Sequence, residues 1–268
     1  MFDMSNYDIY LQDSSKVLKN KLRITDESAL DKAKSVMAST KMALLYNSGF
    51  SDFSPEGVCK LHKALFGDVY DWAGQYRIIN IQKKEEILAG KSVWYSYREK
   101  IDKDLRTVWK KIAAVNWSNL TREEFAHSVA HLFSAIWQTH PFREGNTRIT
   151  VFPIAMFVES YGYYFDYELM AKSAGYVRNA FVLCCFGEHS EFEHLEKILL
   201  DAICAELIKE SNDANIITEE KSSKYEKYYT GDYKPTPHEY IEDNKIVFLC
   251  LMAVSYTHLR AHETSLHL

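Results

Sequence analysis

The chain has 268 residues, 47% of them hydrophobic and 26% charged, and a formal net charge of −5 at pH 7. That profile fits one soluble domain with extensions and excludes both a disordered polymer and a globally basic nucleic-acid binder. No apolar run approaches the roughly 18 residues of a membrane span. The opening MFDMSNYDIYLQDSS lacks a secretory pattern, and the five cysteines show no CxxC spacing, so a cytoplasmic protein without a disulfide framework is expected.

With only 10 Gly and 5 Pro, and apolar residues recurring mostly at helical spacing, the fold class expected is mainly α. A first helix is expected over residues 28–46, stopped by Asn47-Ser48-Gly49. Ser54-Pro55-Glu56 starts a second, which runs to residue 65. Residues 76–81 (YRIINI) alternate and are rich in β-branched side chains; with the charged turn Lys83-Lys84-Glu85-Glu86 they form the one expected β-hairpin. Thr121 and Glu124 make a capping box. The helix it opens carries Phe125, Val129, Leu132, Phe133 and Ile136 on one face and ends near Thr139, because Pro141 disfavours helical geometry at His140. A further helix is expected over 146–160 with Gly162 as its stop, and Pro153 inside it should kink it or remove one backbone bond. Two more are expected at 168–186 and 191–210. Beyond Ser211 the chain turns polar. The expected organisation is a helical segment at 1–50, a core domain at 51–210 and a polar extension at 211–253. Residues 254–268 (VSYTHLRAHETSLHL) resemble a translated sequencing adapter, which would leave the native C-terminus missing.

The chemistry concentrates in His140-Pro141-Phe142-Arg143-Glu144-Gly145-Asn146-Thr147-Arg148. A helix ends at a histidine, a tight Gly-containing loop follows, and a new helix opens. Unpaired N–H groups at a helix start and the positive end of the macrodipole form a ready anion site. Arg148 adds a charged fork suited to phosphate oxygens. Glu144 is placed to hold Mg²⁺ against the same phosphates. His140 has the chemistry of a general base.

This run resembles the signature of the Fic family, His-(Pro)-Phe-x-Asp/Glu-Gly-Asn-Gly/Lys-Arg-x-x-Arg. The upstream run Leu61-His62-Lys63-Ala64-Leu65-Phe66-Gly67-Asp68-Val69-Tyr70-Asp71-Trp72-Ala73-Gly74-Gln75-Tyr76-Arg77 resembles that family's lead-in to its flap. The likeness spans roughly residues 20–206. It implies a Fic-type helical bundle with a short β-hairpin flap and a protein adenylyltransferase that moves AMP from ATP to a Ser, Thr or Tyr hydroxyl. His140 would be the base, Phe142 the loop anchor and Glu144 the Mg²⁺ ligand. Arg143, Gly145, Asn146, Thr147 and Arg148 would bind ATP. Ile79, Asn80 and Ile81 would dock an extended target segment by strand addition. The partners implied are an unidentified target protein, the chain itself as a target, and an antitoxin-like regulator; delivery elsewhere as an effector is compatible with the absence of a signal.

Two departures stand out. Thr147 takes the place of a Gly, and Val151 takes that of the family's second arginine, which puts the grip on the γ-phosphate in question. Ser222 and Glu226 partly match the family's inhibitory motif, with Lys227 in its last position. The alternatives are transfer of another phosphate-containing group on the same fold, or a weakly active nucleotide-binding, toxin-like interaction protein. His127 and His131 have the spacing of a zinc-protease helix, but Ser128 replaces the required glutamate, so the pair reads as ordinary helix surface. Cys184 and Cys185 read as packing.

Overall fold

The computed structural model describes residues 8–204. Its elements in chain order are α1 (Glu27–Asn47), α2 (Pro55–Phe66), α3 (Ile101–Ala114), α4 (Arg122–Thr139), α5 (Arg148–Ser160), β1 (Tyr164–Phe165), α6 (Tyr167–Lys172), α7 (Ala174–Cys184), α8 (Glu193–Ala202) and β2 (Ile203–Cys204). The mainly helical reading holds. Local chemistry explains the helix starts: the Asp26 carboxylate accepts from the Ala29 N–H at 2.8 Å, and the Ser54 hydroxyl accepts from the Gly57 N–H at 3.0 Å. Thr121 and Glu124 form the expected capping box. Each satisfies a helix-start N–H that has no partner of its own.

Several elements differ from expectation. Helix α3 carries Ile101, Leu105, Val108 and Ile112 on its buried stripe, a spacing hidden by its many charges. The span 168–186 breaks at Ser173 into α6 and α7. Helix α8 stops at Ala202 because Ile203 leaves it to pair antiparallel with Phe165. Helix α5 runs unbroken through Pro153.

The expected hairpin at 76–81 is the main correction. Among the described residues the only two-stranded sheet is β1 with β2; residues 76–81 carry no ladder. Their backbone groups are taken by other partners. The Arg77 N–H donates to the Pro141 carbonyl at 2.8 Å, and the Ile78 N–H to the Tyr10 hydroxyl at 3.1 Å. The Ile78 carbonyl accepts from the Arg98 guanidinium and the Ile79 carbonyl from that of Arg77, each at 2.7 Å. A β-favouring sequence therefore lies outside any sheet, with bends at Ile78 and Ile79, consistent with β propensity being a matter of context.

Two hydrophobic clusters hold the molecule. One gathers α3, α4, α7 and α8 with the C-terminal half of α5, around Phe125, Phe133, Trp137 and Phe181. The other joins Tyr10, Leu18 and Leu30 to α2, Phe142, Ile149 and Phe152. Residues 8–50 thus pack into the same body as the expected core domain. The 140–147 loop crosses between the clusters, with Trp137 in one and Phe142 in the other.

Candidate active site

His140 is the C-cap of α4 and adopts the left-handed conformation (φ 46°, ψ 58°), which is uncommon for a residue with a side chain. A buried guanidinium holds it there. Arg77 Nε donates to the His140 carbonyl at 2.8 Å, and its Nη2 reaches the Ser96 and Thr139 carbonyls. A cation at the end of α4 also meets the negative end of the helix dipole. Burial lowers the Arg77 pKa to about 10. The His140 ring packs against Tyr95 and Trp137, with centroids 4.2 and 5.1 Å away. Its Nδ1 lies 3.3 Å from the Trp137 carbonyl. A carbonyl only accepts, so Nδ1 carries the proton and Nε2 bears the lone pair. Nε2 is buried and has no hydrogen-bond partner among the described residues. Burial, Lys83, Arg77 and Arg178 hold the ring well below the ordinary histidine pKa, so it is a neutral base.

The loop itself is built from side-chain to backbone bonds. The Phe142 N–H donates to Asn146 Oδ1 at 3.0 Å, and Asn146 Nδ2 donates to the Phe142 carbonyl at 2.9 Å. Asn146 therefore clamps the turn. Gly145 has φ +81°, and a Cβ there would meet the Phe66 ring at 2.4 Å, so both conformation and space require glycine. Phe142 is fully buried and stacks on His62 at 3.8 Å. His62 Nδ1 accepts from the Gly74 N–H at 2.8 Å, leaving Nε2–H to donate to the Glu144 carbonyl at 3.1 Å. Thr147 Oγ1 accepts from the Trp137 indole N–H at 3.0 Å. The hydroxyl that departs from the family's glycine thus ties the start of α5 to the end of α4.

A cavity opens beside this loop. It is lined by Lys83, Trp137, His140, the 144–148 segment, Val151 and Arg178, among others. Glu144 is the one acidic side chain in that lining. Its Oε1 accepts from the Gly145 N–H at 2.7 Å, and its Oε2 lies 2.9 Å from the ammonium of Lys34 on α1. Burial works against charge on Glu144, but Lys34, Arg148 and Lys83 outweigh it and lower its pKa. Lys34 is itself buried and also bonds Asp31 at 2.6 Å; burial opposes its charge, yet Glu144 raises its pKa overall. Lys83 is depressed to about 8, mainly by burial. Arg178, from α7, pairs with the buried Glu85 at 2.6 Å.

The structure brings together most of the residues singled out from sequence. His140, Glu144, Gly145, Asn146, Thr147 and Arg148 all line the cavity, and Phe142 anchors the loop. Arg143 does not line it: its guanidinium turns to Asp8, at 2.6 Å. Ile79, Asn80 and Ile81 lie in irregular, partly exposed backbone, with Asn80 Oδ1 accepting from the Arg98 N–H at 2.9 Å. Ser222 and Glu226 lie outside the described residues, as do 211–253 and 254–268. Sequence reasoning missed Arg77, His62, Lys34, Lys83 and Arg178. Two of these sit inside the lead-in run, but their partners are far along the chain.

The Fic/DOC family model matches residues 52–158, which span α2 to α5 and contain the loop. A "Probable protein adenylyltransferase y4lH" from Sinorhizobium fredii is 32% identical over 152 residues, covering 56% of this chain and 74% of that protein. The chain belongs to the Fic/DOC family. "Protein adenylyltransferase VbhT" from Bartonella schoenbuchensis is 30% identical over 166 residues, but these are 62% of this chain and only 34% of that longer protein. Among solved structures, a Fic domain with bound ADP from Bartonella quintana superposes with a TM-score of 0.62 at 22% identity, covering 72% of this chain and 94% of that one. BepC with bound AMPPNP from Bartonella tribocorum gives 0.61 at 20%, covering 74% and 97%. Both likenesses establish a shared Fic/DOC fold. No helix among the described residues is long and apolar enough to cross a membrane.

Proposed function

We propose that this Fic/DOC chain is a protein adenylyltransferase that moves AMP from ATP to a Ser, Thr or Tyr hydroxyl of a target protein. The observation that carries the reading is His140, which lines the cavity beside a helix start and whose Nε2 lone pair is buried and unpartnered among the described residues. The names of the curated relatives and the adenine nucleotides bound in the two solved structures support the same chemistry.

His140 Nε2 takes the proton of the target hydroxyl as that oxygen forms a bond to the α-phosphorus. The bond from that phosphorus to the oxygen bridging it to the β-phosphorus breaks, and pyrophosphate leaves with the electron pair. The Trp137 carbonyl fixes the tautomer of the base, and Arg77 fixes its backbone. The backbone of 145–147, the start of α5 and Arg148 take up phosphate charge. Val151 offers only an apolar wall, so Lys83 and Arg178 supply the positive charge that the family's second arginine would bring. Glu144 suits Mg²⁺: it is the cavity's carboxylate and already faces a cation, the Lys34 ammonium. Bound there with phosphate oxygens, Mg²⁺ would neutralise charge on the nucleotide. The target segment docks along residues 79–81, which are partly exposed and belong to no sheet, by pairing with the backbone groups that Arg77 and Arg98 leave unused. The described cysteines are all free thiols, which suits the reducing cytoplasm in which we place the reaction.

The test is incubation with ATP labelled at either the α- or the γ-phosphate. Protein labelled only from the α-phosphate, lost in His140→Ala with folding retained, is expected. Label from the γ-phosphate would mean phosphoryl transfer, and no label from either would mean a nucleotide-binding protein. Label retained in His140→Ala would overturn the assignment of the base.

A further inference from the structure

A second group of metal-ligating side chains lies away from the nucleotide cavity, where α4 and α8 pack together. His127 and His131 stand on successive turns of α4, with ring centroids 4.2 Å apart. Helix α8 brings Glu196 between them. His127 Nδ1 is 3.0 Å and His131 Nε2 is 2.8 Å from the same oxygen, Glu196 Oε1. All three donor atoms lie within 4.8 Å of one another. The His131 ring is stacked on Phe192 at 3.8 Å and 10°, which restricts its rotation. None of the three lines the nucleotide cavity.

We propose that His127, His131 and Glu196 form a binding site for a divalent transition metal, zinc above all, that clips α8 to α4. Ligand atoms about 2.0–2.2 Å from a tetrahedral zinc lie roughly 3.3 Å apart. The separations from Glu196 Oε1 are a few tenths of an ångström shorter, so a small rotation of the exposed His127 and the half-exposed Glu196 admits the ion. Two imidazoles and one carboxylate suit zinc, cobalt or nickel, whereas Mg²⁺ and Ca²⁺ prefer all-oxygen surroundings. The ring nitrogens that face Glu196 give up any proton they carry on ligation, and each neutral imidazole keeps one on its other nitrogen. Water completes the coordination. Ser128 sits where a zinc protease would carry its catalytic glutamate, so the site is not hydrolytic. Its effect is mechanical: the ion cross-links α4, the helix that ends at His140, to α8.

The experiment is titration of the chelator-treated 268-residue chain with Zn²⁺ and with Co²⁺, read by calorimetry and by the visible spectrum of bound Co²⁺. One equivalent is expected to bind, with an intense tetrahedral Co²⁺ spectrum and a Zn²⁺-dependent rise in the thermal midpoint. His131→Gln and Glu196→Gln should each weaken binding at least tenfold and abolish that rise, with circular dichroism confirming the fold. Glu144→Gln should leave binding intact, since Glu144 belongs to the other site. Because the tail also carries histidines, His258, His262 and His267 are replaced together by Gln in a separate variant, and binding should persist there. Binding that survives His131→Gln and Glu196→Gln, or disappears with the tail histidines, overturns the proposal, as does an absence of binding below millimolar metal.

Discussion

Between pH 6.5 and about 4, acidification should destabilise this protein through His62, and the size of the effect follows from the geometry. His62 is fully buried. Its Nδ1 must be an acceptor, because it faces the Gly74 N–H; its Nε2 must be a donor, because it faces the Glu144 carbonyl. A second proton on the ring would sit on Nδ1 and point at another donor. Burial pulls His62 down to about 4 from the ordinary 6.5, against the Glu144 carbonyl bond and carboxylate charge, which favour the charged ring. The sign follows from proton uptake. As pH falls below 6.5 the unfolded chain gains a proton that the folded chain refuses, so stability is intact above 6.5 and is lost progressively down to about 4. At 1.36 kcal/mol per pKa unit, the loss at pH 5 is about 2 kcal/mol. The assay is urea unfolding at pH 7.5 and pH 5 for the parent and for His62→Asn, whose amide does not titrate. The variant should be less stable at pH 7.5, but its further loss on acidification should be smaller than the parent's by about 2 kcal/mol. An equal loss in both proteins would refute the tautomer assignment.

Arg77→Met removes the guanidinium bonds that hold the end of α4. It should lower stability by about 3 kcal/mol in chemical denaturation and make His140 sensitive to modification by diethyl pyrocarbonate; unchanged modification would argue that the left-handed cap holds itself. Lys34→Met leaves Glu144 with Arg148 and Lys83 as its remaining charge partners. Metal-free stability should fall by about 2 kcal/mol while affinity for Mg²⁺ with ATP, measured by calorimetry, should rise; a weaker affinity would mean that Lys34 assists the metal rather than competing with it. Val151→Arg returns a charge to the cavity wall and should tighten ATP about tenfold by calorimetry, roughly 1.4 kcal/mol, with no change expected for AMP.

What was legible in the sequence had local causes. The capping box at Thr121, the Ser54 start and the stop at His140-Pro141 all follow from residues within four positions of one another, and all appear as expected. Glu144, Gly145 and Arg148 stood out as members of one ordered run that resembles a family signature, and the fold keeps all three on one cavity. The hairpin failed because the backbone of 77–79 is claimed by Pro141, Tyr10 and the side chains of Arg77 and Arg98, none of which a β propensity can register. The break at Ser173 had no glycine or proline to announce it. The roles of His62, Lys34 and Arg178 were hidden for another reason: each is defined by a partner on a different element, so its charge or ring looks ordinary until the chain is folded.

The bonds of Arg77 also bear on engineering. The nine-residue run from His140 to Arg148 looks like a portable cassette, but its histidine is held in a rare backbone conformation by a guanidinium 63 positions upstream, and its phenylalanine rests on an imidazole from α2. Grafted alone onto another pair of helices, the cassette would arrive without its scaffolding and relax. A transplant that keeps the base aimed must carry residues 62–77 with it, so the smallest transferable unit of this site is a pair of segments rather than a loop.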